Sequence, residues 1–469
     1  MPFSILKWLK PLYLLSKSVG LSPFRLRENL FHGNCQDIVE NFQILQFVWP
    51  VVLFIVISSG LVSCVLHINL KSDNPGFIAH EFVVPLNYIT ALITLAVNLT
   101  VNRKKMQELM RMLYKIDSVL FLGKLEPWYR KARLFLTVQL VVLFLICIPY
   151  LCYDAYYWGV SLSKCVFEFI KRISIVIDLV VVMNFTNIMY FFKHRLQHIN
   201  NELADAKSKN SPDFSSIKPH SCDLPEPTPL ANVLGVPVIQ RMRQITTSKN
   251  PSRQCNEIYS SDNLNRLRRK LLKGFSYTNR MRIKMNMRPS KVSAKVAVIY
   301  DNDRRHKFNA ADILQKRMVY KYLYDTLKLI NSIYGLPILS KLTFCFVGTV
   351  CYSYALLYGT FEDQELSMTF SHVFWFIVFF GSAISITAYS HMAQAESKRT
   401  IDEIQNYLLQ DTVKPEVRRQ LRLFSDQVSK NPIEFVALGF FSVNLPLLCC
   451  FIGHATTFII ILIQFKLNK

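Results

Sequence analysis

The chain has 469 residues, 51% of them apolar, a mean hydropathy of +0.22 and a formal net charge of +23. Such charge could mark a nucleic-acid binder, but Lys and Arg are absent from long apolar stretches and crowd between them, the distribution of a polytopic membrane protein. With no metal-ligand pattern, no phosphate-cradling Gly-rich loop and no nucleophile motif among its residues, the chain is not expected to be an enzyme or to hold a cofactor or metal.

Residues 1–43 begin with apolar Ile5, Leu6, Trp8, Leu9, Leu12 and Leu15, but Lys7, Lys10 and Lys17 interrupt any signal-peptide h-region. Two readings stand: an amphipathic helix on the cytoplasmic membrane surface, or a leader helix packed on the protein. A span needs roughly 20 mostly apolar residues. Seven stretches qualify, at about 44–66, 82–101, 134–153, 173–192, 336–358, 370–390 and 446–465. The first four fill 44–192. The second, fourth and seventh carry polar residues, whereas 134–153 carries no charge.

Residues 193–335 form a long basic loop. From about 205 to 262 it is rich in Pro, Ser, Asn and Lys and is expected to be disordered. Arg266 to Arg288 follow, with Leu264, Leu267, Leu271 and Phe275 at helical spacing. That stretch reads as a solvated basic linker or as a contact for calmodulin or anionic lipid. Residues 311–335 predict a helix leading into the fifth span, and spans five and six occupy 336–390. Between 391 and 445, Ile401, Ile404 and Leu408, then Val417, Leu421, Phe424 and Val428 after Pro415, predict two amphipathic helices. Their apolar faces need a partner, in the same chain or in another subunit. Residues 446–469 form the seventh span and a short tail.

The Lys and Arg of the connections alternate. With the longest connection set aside, one side of the membrane holds 21 and the other 6. The N-terminus is therefore expected in the cytoplasm and the C-terminus outside, opposite to a G-protein-coupled receptor. Asp303-Arg304-Arg305 does not rescue that reading, because it lies in the long loop rather than at the inner end of span three. The eleven cysteines show no metal spacing. Cys152 and Cys165 flank one external connection, as a disulfide or as two free thiols. The sequons at Asn98 and Asn184 fall inside apolar segments and are not read as glycan sites.

Polar groups inside spans are the better functional lead. A central Asp costs about 2.5–3.5 kcal/mol on insertion scales, so Asp178 needs either a ligand or an ion partner such as Lys171, Arg172 or a Tyr. His454 in span seven reads first as a helix-packing hydrogen bond. Aromatics crowd the outer ends of spans three, five and six: Tyr150, Tyr153, Tyr156, Tyr157, Trp158, Tyr352, Tyr354, Tyr358, Phe370 and Trp375. They form an interfacial belt, or they line an outward-facing pocket with Asp178, Asn87, Tyr88 and His372 as polar or aromatic contacts.

The end of the chain is more specific. Thr457-Phe458, five apolar residues from Ile459 to Ile463, then Gln464-Phe465 resembles the tail of insect gustatory receptors, which carry Thr-Tyr, five hydrophobic residues and Gln-Phe. Phe458 departs from the Tyr, keeping the ring and losing the hydroxyl. Seven spans, an inside N-terminus and an amphipathic pair before span seven extend the resemblance to the whole architecture. At motif level it covers roughly the last 70 residues, from Ala395-Glu396-Ser397-Lys398-Arg399-Thr400 onward.

The resemblance implies an all-α, seven-helix, ligand-gated, non-selective cation channel. It would be a homotetramer, or a heteromer with related subunits, in the plasma membrane of chemosensory neurons. Span seven would line the pore, with Thr457, Ile461, Gln464 and Phe465 in it and the last two at the gate. The cytoplasmic ends of spans four to seven would form the inter-subunit anchor. The implied partners are a small-molecule tastant, membrane lipid, and monovalent and divalent cations as permeant ions, with no nucleic acid. The main sugar-receptor group places Glu where this chain has Ile459, so a bitter or plant-derived compound is the expected tastant. A fructose-type receptor and an obligate subunit that binds no ligand are the alternatives.

Overall fold

The computed structural model describes residues 5–22, 45–66, 75–100, 102–120, 126–157, 162–210, 309–359, 366–410 and 413–467. Contacts divide the chain into Met1–Pro212 with Phe308–Lys469, and Asp213–Lys307. Every described residue lies in the first unit. The disorder expected from about 205 is not found at 205–210, which is helical; its remainder, the basic stretch at 266–288 and Asp303-Arg304-Arg305 lie outside the described residues.

Ten helices and one small hairpin make up the described fold. They are α1 (Ile5–Ser18), α2 (Leu45–Leu66), α3 (Pro75–Thr100), α4 (Asn102–Leu120), α5 (Glu126–Tyr157), α6 (Leu162–Asn210), α7 (Ala310–Gly359), α8 (Leu366–Leu408), α9 (Pro415–Lys430), β1 (Val436–Ala437), β2 (Phe441–Ser442) and α10 (Leu445–Leu467). Long apolar segments form helices because a helix satisfies its own backbone groups where lipid offers no partner. Among the described residues, six helices are long and apolar enough to cross a membrane: α2, α3, α6, α7, α8 and α10. The expected span at 134–153 falls inside α5, whose side chains are described from Tyr129 to Leu145.

Helices α6, α7 and α8 form the centre. α8 packs along α6 and α7, α3 packs along α7 and α6, α2 covers α3, and α1 leans on α5 and α6. At 1.5 Å per residue the 49 residues of α6 and the 50 of α7 each run for about 75 Å, more than twice the ~30 Å hydrocarbon core. α7 runs unbroken through 310–335 into the fifth span, so soluble and membrane parts share one rod. α9 lays Val417, Leu421, Phe424 and Val428 against α7 and α8. Its apolar face thus finds its partner within the chain.

Two elements carried no sequence expectation. Helix α4 buries Leu109, Leu113 and Ile116 at helical spacing. One position on, its Asp117 Oδ1 accepts from Arg195 Nε on α6 at 2.7 Å, and Oδ2 accepts from Arg195 Nη2 at 3.0 Å. Tyr129 of α5 also donates its hydroxyl to Asp117, and the guanidinium lies 4.2 Å from the Phe191 ring centre. Burial and the Asp117 carboxylate both push the Tyr129 phenol well above its ordinary range, so it stays a donor.

The other is the hairpin before α10, which pairs Val436 with Ser442 and Ala437 with Phe441. It turns through Leu438 and Gly439, both at positive φ, a conformation that suits Gly and rarely Leu. The turn packs against Gly335 of α7, where an added Cβ would meet the Leu438 nitrogen at 3.2 Å.

Candidate functional site

A cavity of about 300 Å³, counting its open mouth, lies among α3, α6, α7 and α8. Val83, Val84 and Asn87 come from α3, Lys171 and Ile175 from α6, Phe344 and Tyr352 from α7, Trp375 and Phe379 from α8. Tyr352 stacks on Phe379 at 5.7 Å and Trp375 on Phe379 at 5.8 Å, while Phe344 meets Phe379 edge-on at 4.9 Å. Trp375 and Phe379 are four residues apart, so one face of α8 carries both rings. Gly348 of α7 permits the close packing, because a Cβ there would meet the Phe379 ring at 2.7 Å.

Polar groups converge on the same place. Asn87 Nδ2 donates to Ser174 Oγ at 2.5 Å, and that hydroxyl donates to the Lys171 carbonyl at 2.7 Å. Among the described residues, Asn87 Oδ1 is buried with no hydrogen-bond partner, and so is His372 Nδ1, whose ring lies 5.9 Å from Tyr352. Buried polar atoms in native proteins are nearly always satisfied, so the unmet acceptor of Asn87 at the cavity wall can receive a donor from a bound molecule.

Asp178 sits one turn beyond Ile175 on α6, beneath the cavity. Its Oδ2 lies 3.3 Å from Lys341 Nζ of α7 and accepts from the Thr90 hydroxyl of α3 at 2.7 Å. The anticipated partners were Lys171, Arg172 or a Tyr. The pair is instead made with the lysine inside the fifth span, and Asp178 and Lys341 are 2% and 4% exposed. Three helices are tied together at that point.

Other candidates separate. Tyr88 is fully buried and faces Gly60 of α2, where a Cβ would touch its ring at 3.2 Å. Tyr354 and Tyr358 pair with each other at 6.3 Å; Tyr354 is two residues from Tyr352, about 200° round the helix. The side chains of Tyr150, Tyr153, Cys152 and Cys165 lie outside the described ones. Sequence reasoning passed over Lys171 and Phe379 as walls and Lys341 as an ion partner. A lone lysine within an apolar span was the available signal for the last.

α10 is packed unlike any other span. Of its described side chains, Ala455 alone is buried. Thr457, Ile461, Gln464 and Phe465 are all exposed, Phe465 at 71%. Phe458 leans edge-on against Phe346 of α7 at 5.9 Å, a contact that needs the ring and not a hydroxyl. The polar side chains turn back on their own helix: Thr457 Oγ1 donates to the Gly453 carbonyl at 2.9 Å, Thr456 Oγ1 to that of Ile452 at 2.9 Å, and His454 Nδ1 lies 2.7 Å from that of Cys450. Among the described residues, His454 thus bonds within α10 in place of the expected helix-packing bond.

The profile of the 7tm chemosensory receptor family matches residues 9–244 and 262–469. Gustatory receptor 28b of Drosophila melanogaster is 28% identical over 168 residues, covering 34% of this chain. The match spans 35% of that relative's own length. Among solved structures, the insect olfactory receptor OR5 from Machilis hrabei superposes with a TM-score of 0.62 at 11% identity, covering 98% of both chains. The same receptor in complex with eugenol gives 0.57 at 10% identity, again over 98% of both. These neighbours share the fold. With nearly the whole chain matched by the family profile, the protein is a multi-pass membrane receptor belonging to the 7tm chemosensory receptor family, which is made up of receptors and not enzymes.

Proposed function

We propose that this chain is a gustatory receptor subunit of a tastant-gated, non-selective cation channel in the plasma membrane of chemosensory neurons. It crosses the bilayer seven times, N-terminus inside and C-terminus outside, and assembles as a tetramer, with itself or with related subunits. Spans one to four (44–192), five and six (336–390) and seven (446–469) alternate with the cytoplasmic segments 1–43, 193–335 and 391–445.

The observation that carries this reading is the exposure of α10. A span with one buried side chain contributes little to its own subunit and has its surface free to face partners and a lumen. Thr457 and Ile461 line that lumen, and Gln464 with Phe465 gates it. A ring of Phe465 side chains can dewet a narrow pore, and Gln464 amides turned inward can rewet it. Ligand binding among α3, α6, α7 and α8 opens the channel to the extent that it binds the open arrangement more tightly.

The aromatic cavity suits a small, largely apolar ring compound with a hydrogen-bonding group for Asn87. With Ile459 where the main sugar-receptor group has Glu, this favours a bitter or plant-derived tastant over a sugar. The test is whole-cell current from cells expressing this chain alone, challenged with aromatic plant compounds and with fructose. Current evoked by the aromatic compounds supports the proposal. Current evoked by fructose alone replaces it with the fructose-type reading, and silence relieved by a sibling receptor replaces it with an obligate-subunit role. In a responding receptor, Gln464→Ala or Phe465→Ala should change leak or ion selectivity at unchanged surface level, and identical currents would remove the gate assignment.

A further inference from the structure

A second, larger cavity lies farther along the same helices. It measures about 700 Å³ with its mouth included and is enclosed by α1, α3, α4, α6 and α7. Along α7, its wall residue Tyr334 is 18 residues from Tyr352, about 27 Å from the aromatic cavity.

The lining is uncharged and mostly apolar, with Leu109, Leu113 and Ile188 typical of it. Seven residues add polar groups: Tyr13, Ser16, Ser22, Thr94, Asn98, Asn184 and Tyr334. Ser16 and Asn184 satisfy each other, the amide donating at 2.9 Å, which fastens α1 to α6. Asn98 Nδ2 donates to the Thr94 carbonyl at 2.9 Å. The hydroxyls of Thr94 and Tyr334 make no hydrogen bond among the described residues, although these side chains line the cavity and are only 2% and 6% exposed. Two buried hydroxyls in an apolar chamber are unmet hydrogen-bonding capacity. A molecule that meets it must be neutral, since no counter-charge lines the wall and an unpaired buried charge is costly.

We propose that this chamber binds a neutral, hydroxylated amphiphile of the monoacylglycerol type. Its head hydroxyls bond to Thr94 and Tyr334, and its acyl chain lies along the leucine and methionine wall. The occupant also touches the route to α10. The Tyr334 ring lies 6.0 Å from Phe185, which meets Phe435 edge-on at 4.6 Å just ahead of β1. The next residue, Gly335, is where the hairpin turn packs.

The test is photolabelling of the purified full-length protein in phosphatidylcholine nanodiscs. The probe is a monooleoylglycerol analogue with a diazirine on its acyl chain, and labelled residues are mapped by mass spectrometry. Label should fall on chamber residues such as Met106 and Met110. It should be displaced by unlabelled monooleoylglycerol and at least about tenfold less well by oleate, whose carboxylate finds no partner there. Thr94→Val with Tyr334→Phe, which keep shape and remove the hydroxyls, should lower chamber labelling by about fivefold or more. Labelling of the lipid-facing Ile55 and Ile377, 61% and 60% exposed, should not change. Should the double variant fail to fold, Tyr334→Phe alone and the oleate comparison decide. Label confined to lipid-facing residues, equal displacement by oleate, or unchanged labelling in the variants would each overturn the site. None of these readouts depends on channel activity.

Discussion

Asp178 and Lys341 decide more at their position than either could alone. Taking one charge from a buried pair strands the other, which costs about 3–5 kcal/mol, whereas replacing both with apolar residues of similar volume is often neutral. Asp178→Asn and Lys341→Met should therefore each lower the thermal midpoint of the purified protein sharply, and the double variant Asp178→Leu/Lys341→Met should recover most of the loss. If the double variant recovers stability and keeps its ligand response, the pair is a fastener; recovered stability with a lost response makes it part of the ligand site. The Asp117, Arg195 and Tyr129 cluster gives a second case. Tyr129→Phe removes one hydrogen bond to a charged acceptor and should cost about 1.5–3 kcal/mol. Because the folded-state phenol titrates above its unfolded value, the hydroxyl contributes fully at neutral pH, and its share is lost only as pH rises past about 10. A melting curve of Tyr129→Phe should accordingly lack part of the alkaline decline seen in the parent protein.

At the scale of elements, Gly60 and Gly348 fix how closely helices approach. Gly348→Val would drive a side chain into Phe379 and disperse the aromatic stack, so the tastant response should fall by more than tenfold in potency, with surface expression reduced far less. Apolar length and helical spacing made the membrane helices and the buried face of α9 legible in the sequence, since both are properties of single segments. The chemistry of the cavity was less so. Asn87, His372 and Trp375 could be named as polar and aromatic groups near one end of the spans, yet which of them meet depends on how four helices rotate against one another. Tyr88 and Tyr354 belong to the same composition and point elsewhere for that reason. Lys341 was visible as an isolated charge, but its pairing with Asp178 spans 163 residues and has no local signature. Helix α4 and the hairpin were missed because a charged amphipathic stretch and a two-residue strand both read as ordinary connection.

For the whole molecule, the proposed channel has the sparsely buried α10 face partner subunits. Gently solubilised protein should run as a tetramer by native mass spectrometry, and bulky polar substitutions at the 50%-exposed Ile460 should shift it towards monomer; a parent protein that stays monomeric at all concentrations would contradict the channel reading. An epitope tag after Lys469 should be stained on intact cells, and staining only after permeabilisation would reverse the orientation. The side chains of Thr456, Thr457 and His454 have a further consequence for how such a receptor is made. Because the two threonine hydroxyls and one ring nitrogen of His454 are satisfied on the same helix, α10 exposes fewer unmet groups to lipid. If the chain assembles as proposed, a newly synthesised subunit can then persist alone in the bilayer long enough for a scarce sibling to be found, and the composition of the finished receptor would follow the supply of subunits in the cell instead of the order in which they were translated.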